Sequence, residues 1–289
     1  MFNKIVERRL IFIAISLVIV AAGIVSYFVN GGFNLDIDFA GGTEVVISGI
    51  EYDEAKITKS FEAVEGVKVS TVQKTEDGVI VKTKFLSDAA KTAVEAKIKA
   101  DYGVETKNIT IESINPSIGK ELWKSAAISI VIAAILMLLY ITFRFEVLSG
   151  IAAVIALIHD ILIMVAFYAI FRFPVNTSFI AAILTILGYS INATIVIFDR
   201  IRENTRQAAK NATFFGVVNA SIKQTLARSV NTSLTTLFTL VVLYIIGVDS
   251  IKEFALPLII GIIAGTYSSV FISGSIWATL KGDKKAALK

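Results

Sequence analysis

Cysteine is absent from the 289 residues, histidine occurs once and proline three times. Without cysteine no disulfide framework can form. With a single histidine besides, no Cys/His ligand set for zinc or haem can be assembled, and neither a metal nor another cofactor is expected. Charge is scarce too: Asp, Glu, Lys and Arg make up 18% of the chain, against about 25% in soluble domains. The net charge of +4 is too small to suggest nucleic-acid binding without a basic patch. What fills the space is apolar: 55% of residues are hydrophobic and mean hydropathy is +0.73. This is the composition of an integral membrane protein whose first partner is the lipid bilayer.

A helix needs about 20 apolar residues to cross about 30 Å of hydrocarbon. Leu10–Val29 meets that length without a charge, and Tyr27-Phe28-Val29-Asn30 at its end is no signal-cleavage site, so it is expected as a retained first span. Five further spans are expected near Leu122–Phe143, Val147–Phe171, Val175–Phe198, Ser229–Val248 and Phe254–Leu280. With the N-terminus inside, the inner segments hold Lys4, Arg8, Arg9, Arg144, Arg200, Arg202, Arg206, Lys210, Lys223, Arg228, Lys281, Lys284, Lys285 and Lys289, and the short outer loops only Arg172 and Lys252. That asymmetry puts both termini in the cytoplasm.

Residues 31–121, between the first two spans, are too many for a structureless loop. Leu35–Ser48 reads as a strand broken at Gly41-Gly42, and Tyr52–Val64 as a helix ended by Gly66. Val67–Lys74 and Val79–Phe85 read as a hairpin across Glu76-Asp77-Gly78. A helix capped at Ser87-Asp88 and stopped by Gly103, then a strand over Ile109–Ile114, complete the βαββαβ order of a ferredoxin-like α+β unit. It holds 11 Lys, 16 Asp and Glu and no Arg, a mildly acidic extracytoplasmic domain. The expected organisation is therefore 1–30, tail and first span; 31–121, the ferredoxin-like insert; 122–280, five more membrane helices; and 281–289, a basic cytoplasmic tail.

Four strings stand out: Asp38-Phe39-Ala40-Gly41-Gly42-Thr43, His159-Asp160, the run from Gly188 to Asn204 through Asp199, Arg200, Arg202 and Glu203, and Arg228–Thr236. Together with six spans in a half-RND-transporter layout, they resemble the SecF side of the SecD/SecF family. The resemblance implies a subunit of bacterial protein export at the cytoplasmic membrane, pairing with SecD beside the SecYEG translocon and using the proton-motive force on a translocating preprotein. It implies no enzymatic chemistry. The alternative, half of an RND-type exporter of small molecules or lipids, generally carries a larger extracytoplasmic region than these roughly 90 residues.

Ionisable side chains at bilayer depth are costly and point to function. Asp160, mid-span, is the first ion-path candidate; a structural hydrogen bond to a neighbouring helix is the other reading. His159, about 100° round the helix, is either a relay partner or a polar packing residue. The resemblance adds Arg228, otherwise a snorkelling anchor. It also marks a departure: the family usually has Asn-Asp-Thr where this chain has Asn192-Ala193-Thr194, so no carboxylate stands at 193. Gly261, Gly265, Ser269 and Ser273, every fourth residue, form a small face for close helix packing, and Gly188 with Asn192 offers a similar one.

Single cysteines at Lys74 and Lys210 test the orientation without background from native cysteine. In intact cells an impermeant thiol reagent should label position 74 and spare position 210; the opposite pattern reverses the topology.

Overall fold

The computed structural model describes residues 4–75, 77–144, 146–209 and 211–283. Glu76 of the expected hairpin, Lys210 and the basic residues Lys284, Lys285 and Lys289 lie outside the described residues, as does the side chain of Arg144. The described chain divides into two compact units: Met1–Asn34 with Ile128–Phe173 and Ser178–Lys289, and Leu35–Ala127 with Pro174–Thr177.

Among the described residues six helices are long and apolar enough to cross a membrane: α1 (Arg9–Val29), α5 (Pro116–Arg144), α6 (Val147–Phe171), α7 (Thr177–Arg206), α8 (Phe214–Ile246) and the stretch Asp249–Lys281. The last is α9 (Asp249–Tyr267), a π-helical segment Ser268–Ser273, and α10 (Gly274–Lys281). The protein is a helical membrane protein. Several helices outrun the apolar stretches expected for them, because helical periodicity continues past the hydrocarbon. α7 runs on to Arg206 with Ile201 and Thr205 buried on the face of Ile197, while Arg200 bridges Glu203 at 2.7 Å on the other. α8 starts at Phe214, where the Thr213 side chain caps Gly216 N at 3.2 Å and Phe214, Val217, Val218, Ser221 and Ile222 are buried. α5 begins at Pro116, a residue pre-set for the first helical position.

The first unit packs closely. A Cβ on Gly23 would come within 2.6 Å of the Ala166 backbone, so α1 and α6 meet without side chains between them. Ser26 adds a hydroxyl bond to Ala169 O at 2.7 Å. Phe12 stacks on Phe271 at 4.4 Å, and Trp277 sits against Phe198 and Phe214 at 4.9 and 5.6 Å.

The second unit carries a four-stranded sheet in the order β2 (Val69–Lys74), β3 (Gly78–Thr83), β1 (Gly42–Ser48), β4 (Ile109–Ile114), every adjacent pair antiparallel. α3 (Glu54–Glu62) and α4 (Asp88–Tyr102) contribute Ile57, Phe61, Val94 and Ile98 to a core with Val45, Ile47, Val79 and Val81. Asp53 and Ser87 cap these helices, and Gly103 ends α4 in the left-handed conformation. One expectation is corrected here: Leu35–Ser48 is not one strand. Ile37–Ala40 forms a helical turn (α2), because the Asp36 side chain accepts from Ile37 N at 2.7 Å and Gly41, at φ 72°, closes it. A Cβ at Gly41 would also meet the Pro116 backbone at 2.6 Å.

Asp36, 7% exposed, pairs with Lys82 at 2.6 Å, and Lys82 also reaches Glu44 at 3.2 Å. Burial acts against the Lys82 charge, but the hydrogen bond and charge of Asp36, with Glu44 behind, outweigh it and hold the ammonium above its ordinary pKa. Burial raises the pKa of Glu44, Asp36 and Glu112 add to that, and Lys82 opposes it. Raised in the fold, the Lys82 pKa contributes stability below the ordinary lysine range that is lost as pH climbs through the folded value.

The segment Phe33–Ile114 expressed alone should give a dispersed amide NMR spectrum. Lys82→Met in it should lower stability by roughly 3 kcal/mol at neutral pH by leaving two carboxylates unpaired, with part regained in acid as Glu44, whose pKa burial already raises, protonates. Denaturant melts reading no loss would show that this cluster does not hold the unit together.

Candidate functional site

The site is built on the inner face of α7. Along this helix Ile183, Ile186, Leu187, Ser190, Thr194 and Ile197 are buried, the spacing of one helical face. Against it lies Asp160 of α6, 1% exposed. The Ser190 hydroxyl donates to Asp160 Oδ2 at 2.5 Å. The other carboxylate oxygen, Oδ1, lies 2.9 Å from Nδ1 of His159, the adjacent residue. The far ring nitrogen, Nε2, is 2.8 Å from Ser16 Oγ of α1. Ser16 in turn donates to Phe12 O at 3.2 Å, and Tyr267 donates to the same carbonyl at 2.8 Å. The Tyr267 ring stacks on the imidazole, centroids 6.0 Å apart.

Glycine and a π-helical turn make this line possible. A Cβ on Gly265 would stand 3.0 Å from Ser190 Cβ and 3.5 Å from Asp160 Oδ2, so α9 covers the carboxylate only because position 265 lacks a side chain. At Gly261 the clash would be worse, 2.5 Å from Ile186 and 2.9 Å from Met164 Sδ. The Ser269 hydroxyl lies within the π segment, 2.9 Å from Thr194 Oγ1, and Ser273 donates to Ser269 O at 2.9 Å. π turns inside helices gather at functional sites.

The sequence-nominated residues thus fall into two groups. His159, Asp160 and Thr194 are on the inner network, with Gly261, Gly265, Ser269 and Ser273 facing it. Asn192 and Arg228 are exposed and Ala193 is half-buried. Gly188 has nothing within 4 Å of where a Cβ would go, so among the described residues no helix packs closely against the face of Gly188 and Asn192. Ser16 and Tyr267 carried no sequence flag, and Ser190 is flagged only as a member of the Gly188–Asn204 run. Ser16 could have been found as the lone polar side chain between Leu10 and Val25, and Ser190 by its place one turn before Thr194. Among the described residues no group of three or more His, Asp or Glu is placed to hold a metal ion.

Residues 93–283 match the family model for the protein export membrane protein SecD/SecF, C-terminal region. The chain is 37% identical to the protein translocase subunit SecF of Sebaldella termitidis over 98% of its own length and 93% of that protein. The chain belongs to the SecD/SecF family. It is also 37% identical to the protein translocase subunit SecDF of Bacillus subtilis, matching across 96% of this chain but only 38% of that longer protein. Among solved structures it is similar to the crystal structure of SecDF, a translocon-associated membrane protein, from Thermus thermophilus, with a TM-score of 0.84 at 31% identity, again over 38% of that chain.

The other residues singled out in the sequence by resemblance have structural partners. Asp38 Oδ2 accepts from Thr177 N at 2.8 Å and Thr177 Oγ1 at 2.6 Å. Phe39 is buried edge-on to Trp123 at 5.1 Å. Gly42 opens β1, and Thr43, fully buried, bonds Ser113 Oγ at 2.7 Å and accepts from Leu86 N at 3.0 Å. Past the end of the apolar stretch, Arg200 donates to Gln224 at 2.5 Å, and Asn204 donates to Ser221 and Gln224 at 2.8 Å, tying α7 to α8. Asp199 and Arg202 project from the same turn of α7, both exposed.

Proposed function

We propose that this chain is a SecF-type subunit of bacterial protein export. It acts with SecD beside the SecYEG translocon on a translocating preprotein, in the cytoplasmic membrane with both termini inside. The observation that carries this reading is likeness to SecF subunits along nearly the whole chain. The B. subtilis relative, which bears both names in one polypeptide, supports pairing with SecD. On this reading residues 31–121 are the extracytoplasmic insert, and its strand order β2-β3-β1-β4 with two helices supports a ferredoxin-like unit. Residues 1–30 and 122–280 are the membrane part, and 281–289 the cytoplasmic tail.

Coupling to the proton-motive force belongs to the same proposal, with Asp160, His159, Asn192, Thr194 and Arg228 as the ion-path candidates. Ala193 has no titratable group, so the outward turn of α7 lacks the carboxylate that would stand among Asn192, Tyr189 and α8. An acid there would need a cation within reach, and Arg228 is the candidate from α8. An unpaired acid would instead cost a few kcal/mol at bilayer depth.

The test uses a cell without its own subunit of this type, supplied with the cognate SecD. At equal membrane abundance, Ala193→Asp should increase proton-driven secretion and Ala193→Asn, equal in polarity and volume, should not. Equal secretion by all three chains would overturn a role for position 193 in coupling.

A further inference from the structure

The hydrogen bonds around His159 define two proton counts for the site. Ser16 has one hydroxyl proton, which can point to Phe12 O at 3.2 Å or to His159 Nε2 at 2.8 Å. Pointed at Phe12 O, Ser16 presents a lone pair to Nε2, and Nε2 carries a proton. Nδ1 stands 2.9 Å from Asp160 Oδ1, and two bare acceptors at that distance repel, so in this arrangement a further proton lies between them. Pointed at Nε2, Ser16 donates to a bare nitrogen, and a single proton on Nδ1 faces the carboxylate. The second carboxylate oxygen is already satisfied by Ser190 at 2.5 Å.

We infer that His159 and Asp160 form a proton-binding pair that loads and releases one proton through the Ser16 side. In the loaded state the pair carries Nε2–H and a proton on the Nδ1–Oδ1 axis and is neutral overall. On release the axial proton stays on Nδ1, donating to a carboxylate, and the Nε2 proton departs. The Ser16 hydroxyl turns from Phe12 O to Nε2, while Tyr267 keeps its bond to Phe12 O at 2.8 Å. One proton leaves and the pair goes from neutral to one negative charge. Because a net charge at bilayer depth is costly, loading is favoured until a path or a rearrangement exposes the pair. Exchange runs through Nε2, since Asp160 is sealed at 1% exposure while the His159 side chain is 11% exposed. Ser16 and His159 both line a cavity of about 260 Å³.

Among the described residues no other charged side chain is hydrogen-bonded or ion-paired to His159 or Asp160. The groups facing the pair are hydroxyls: Ser16 from α1, Ser190 from α7 and Tyr267 from α9. Residues 10–29, 177–198 and 254–280, the apolar parts of those helices, contain no Asp, Glu, Lys or Arg. The pair deepens the proton-coupling reading and rests on it for its use in export, but not for its chemistry.

The chain's single histidine makes the test direct. Nitrogen-15 spectra of histidine-labelled chain, purified without a histidine tag into bicelles, report His159 alone. As pH rises the imidazole should pass from protonation at both nitrogens to the Nδ1–H tautomer. In Asp160→Asn that transition should shift by about one pH unit or more, and Ser16→Ala, which leaves the carboxylate untouched, should change the tautomer reached. At equal membrane abundance Asp160→Asn should also reduce secretion, and Asp160→Glu should restore part of it. An imidazole indifferent to residues 160 and 16 overturns the pair. Coupled titration with undiminished secretion in Asp160→Asn overturns its use in export. Should the unmodified chain itself fail to support secretion, the export reading falls, and the imidazole spectra still decide the pair.

Discussion

Inside a hydrocarbon layer a carboxylate has no water to turn to, so Asp160 must be satisfied by protein. Ser190 donates to one oxygen and the imidazole of His159 addresses the other. That requirement organises the helices around it. α7 must present a hydroxyl where apolar residues would otherwise pack, α1 must bring Ser16 to the far side of the ring, and α9 must pass without a side chain at Gly265. Each unmet group of this kind costs on the order of 1–3 kcal/mol.

The same helix α7 divides polar chemistry between two faces. Inward, Ser190 and Thr194 continue through Ser269 into the π segment, so a line of hydroxyls runs through tightly packed helices. Asn192 is exposed on the far side of α7, Ala193 lies half-buried on its flank, and Arg228 on α8 is exposed. The inner carboxylate is intact while the outer position carries alanine.

The sequence made the spans legible because an apolar run of membrane length is a strong signal, and Val147–Phe171 was read to the residue. The ends of α7 and α8 were not. Beyond the hydrocarbon, Ile201, Thr205, Phe214 and Val218 keep a buried face that hydropathy does not distinguish from amphipathic surface. In the insert, Asp-Gly and the Ser87 cap marked their elements, but Ile37–Ala40 looked like strand because its helical turn depends on one Asp36 bond and one left-handed glycine. At the site, Asp160 was evident from its depth. Its partners were not, since neighbours in sequence point about 100° apart on a helix and only side-chain rotation brings His159 Nδ1 back to Oδ1. Ser16 lies 143 residues from His159, a contact set by tertiary packing alone.

A double-mutant cycle between Ser190 and Asp160 tests the central claim most directly. Thermal or denaturant stability in bicelles would be measured for Ser190→Ala, Asp160→Ala and the pair together. A hydrogen bond to a charged or proton-sharing carboxylate predicts a coupling of about 1.5 kcal/mol, above the ~0.6 kcal/mol average of membrane side-chain bonds. Additive losses, agreeing within about 0.3 kcal/mol, would contradict it: Asp160 would then be held by something other than Ser190, and the inner face of α7 would be packing alone.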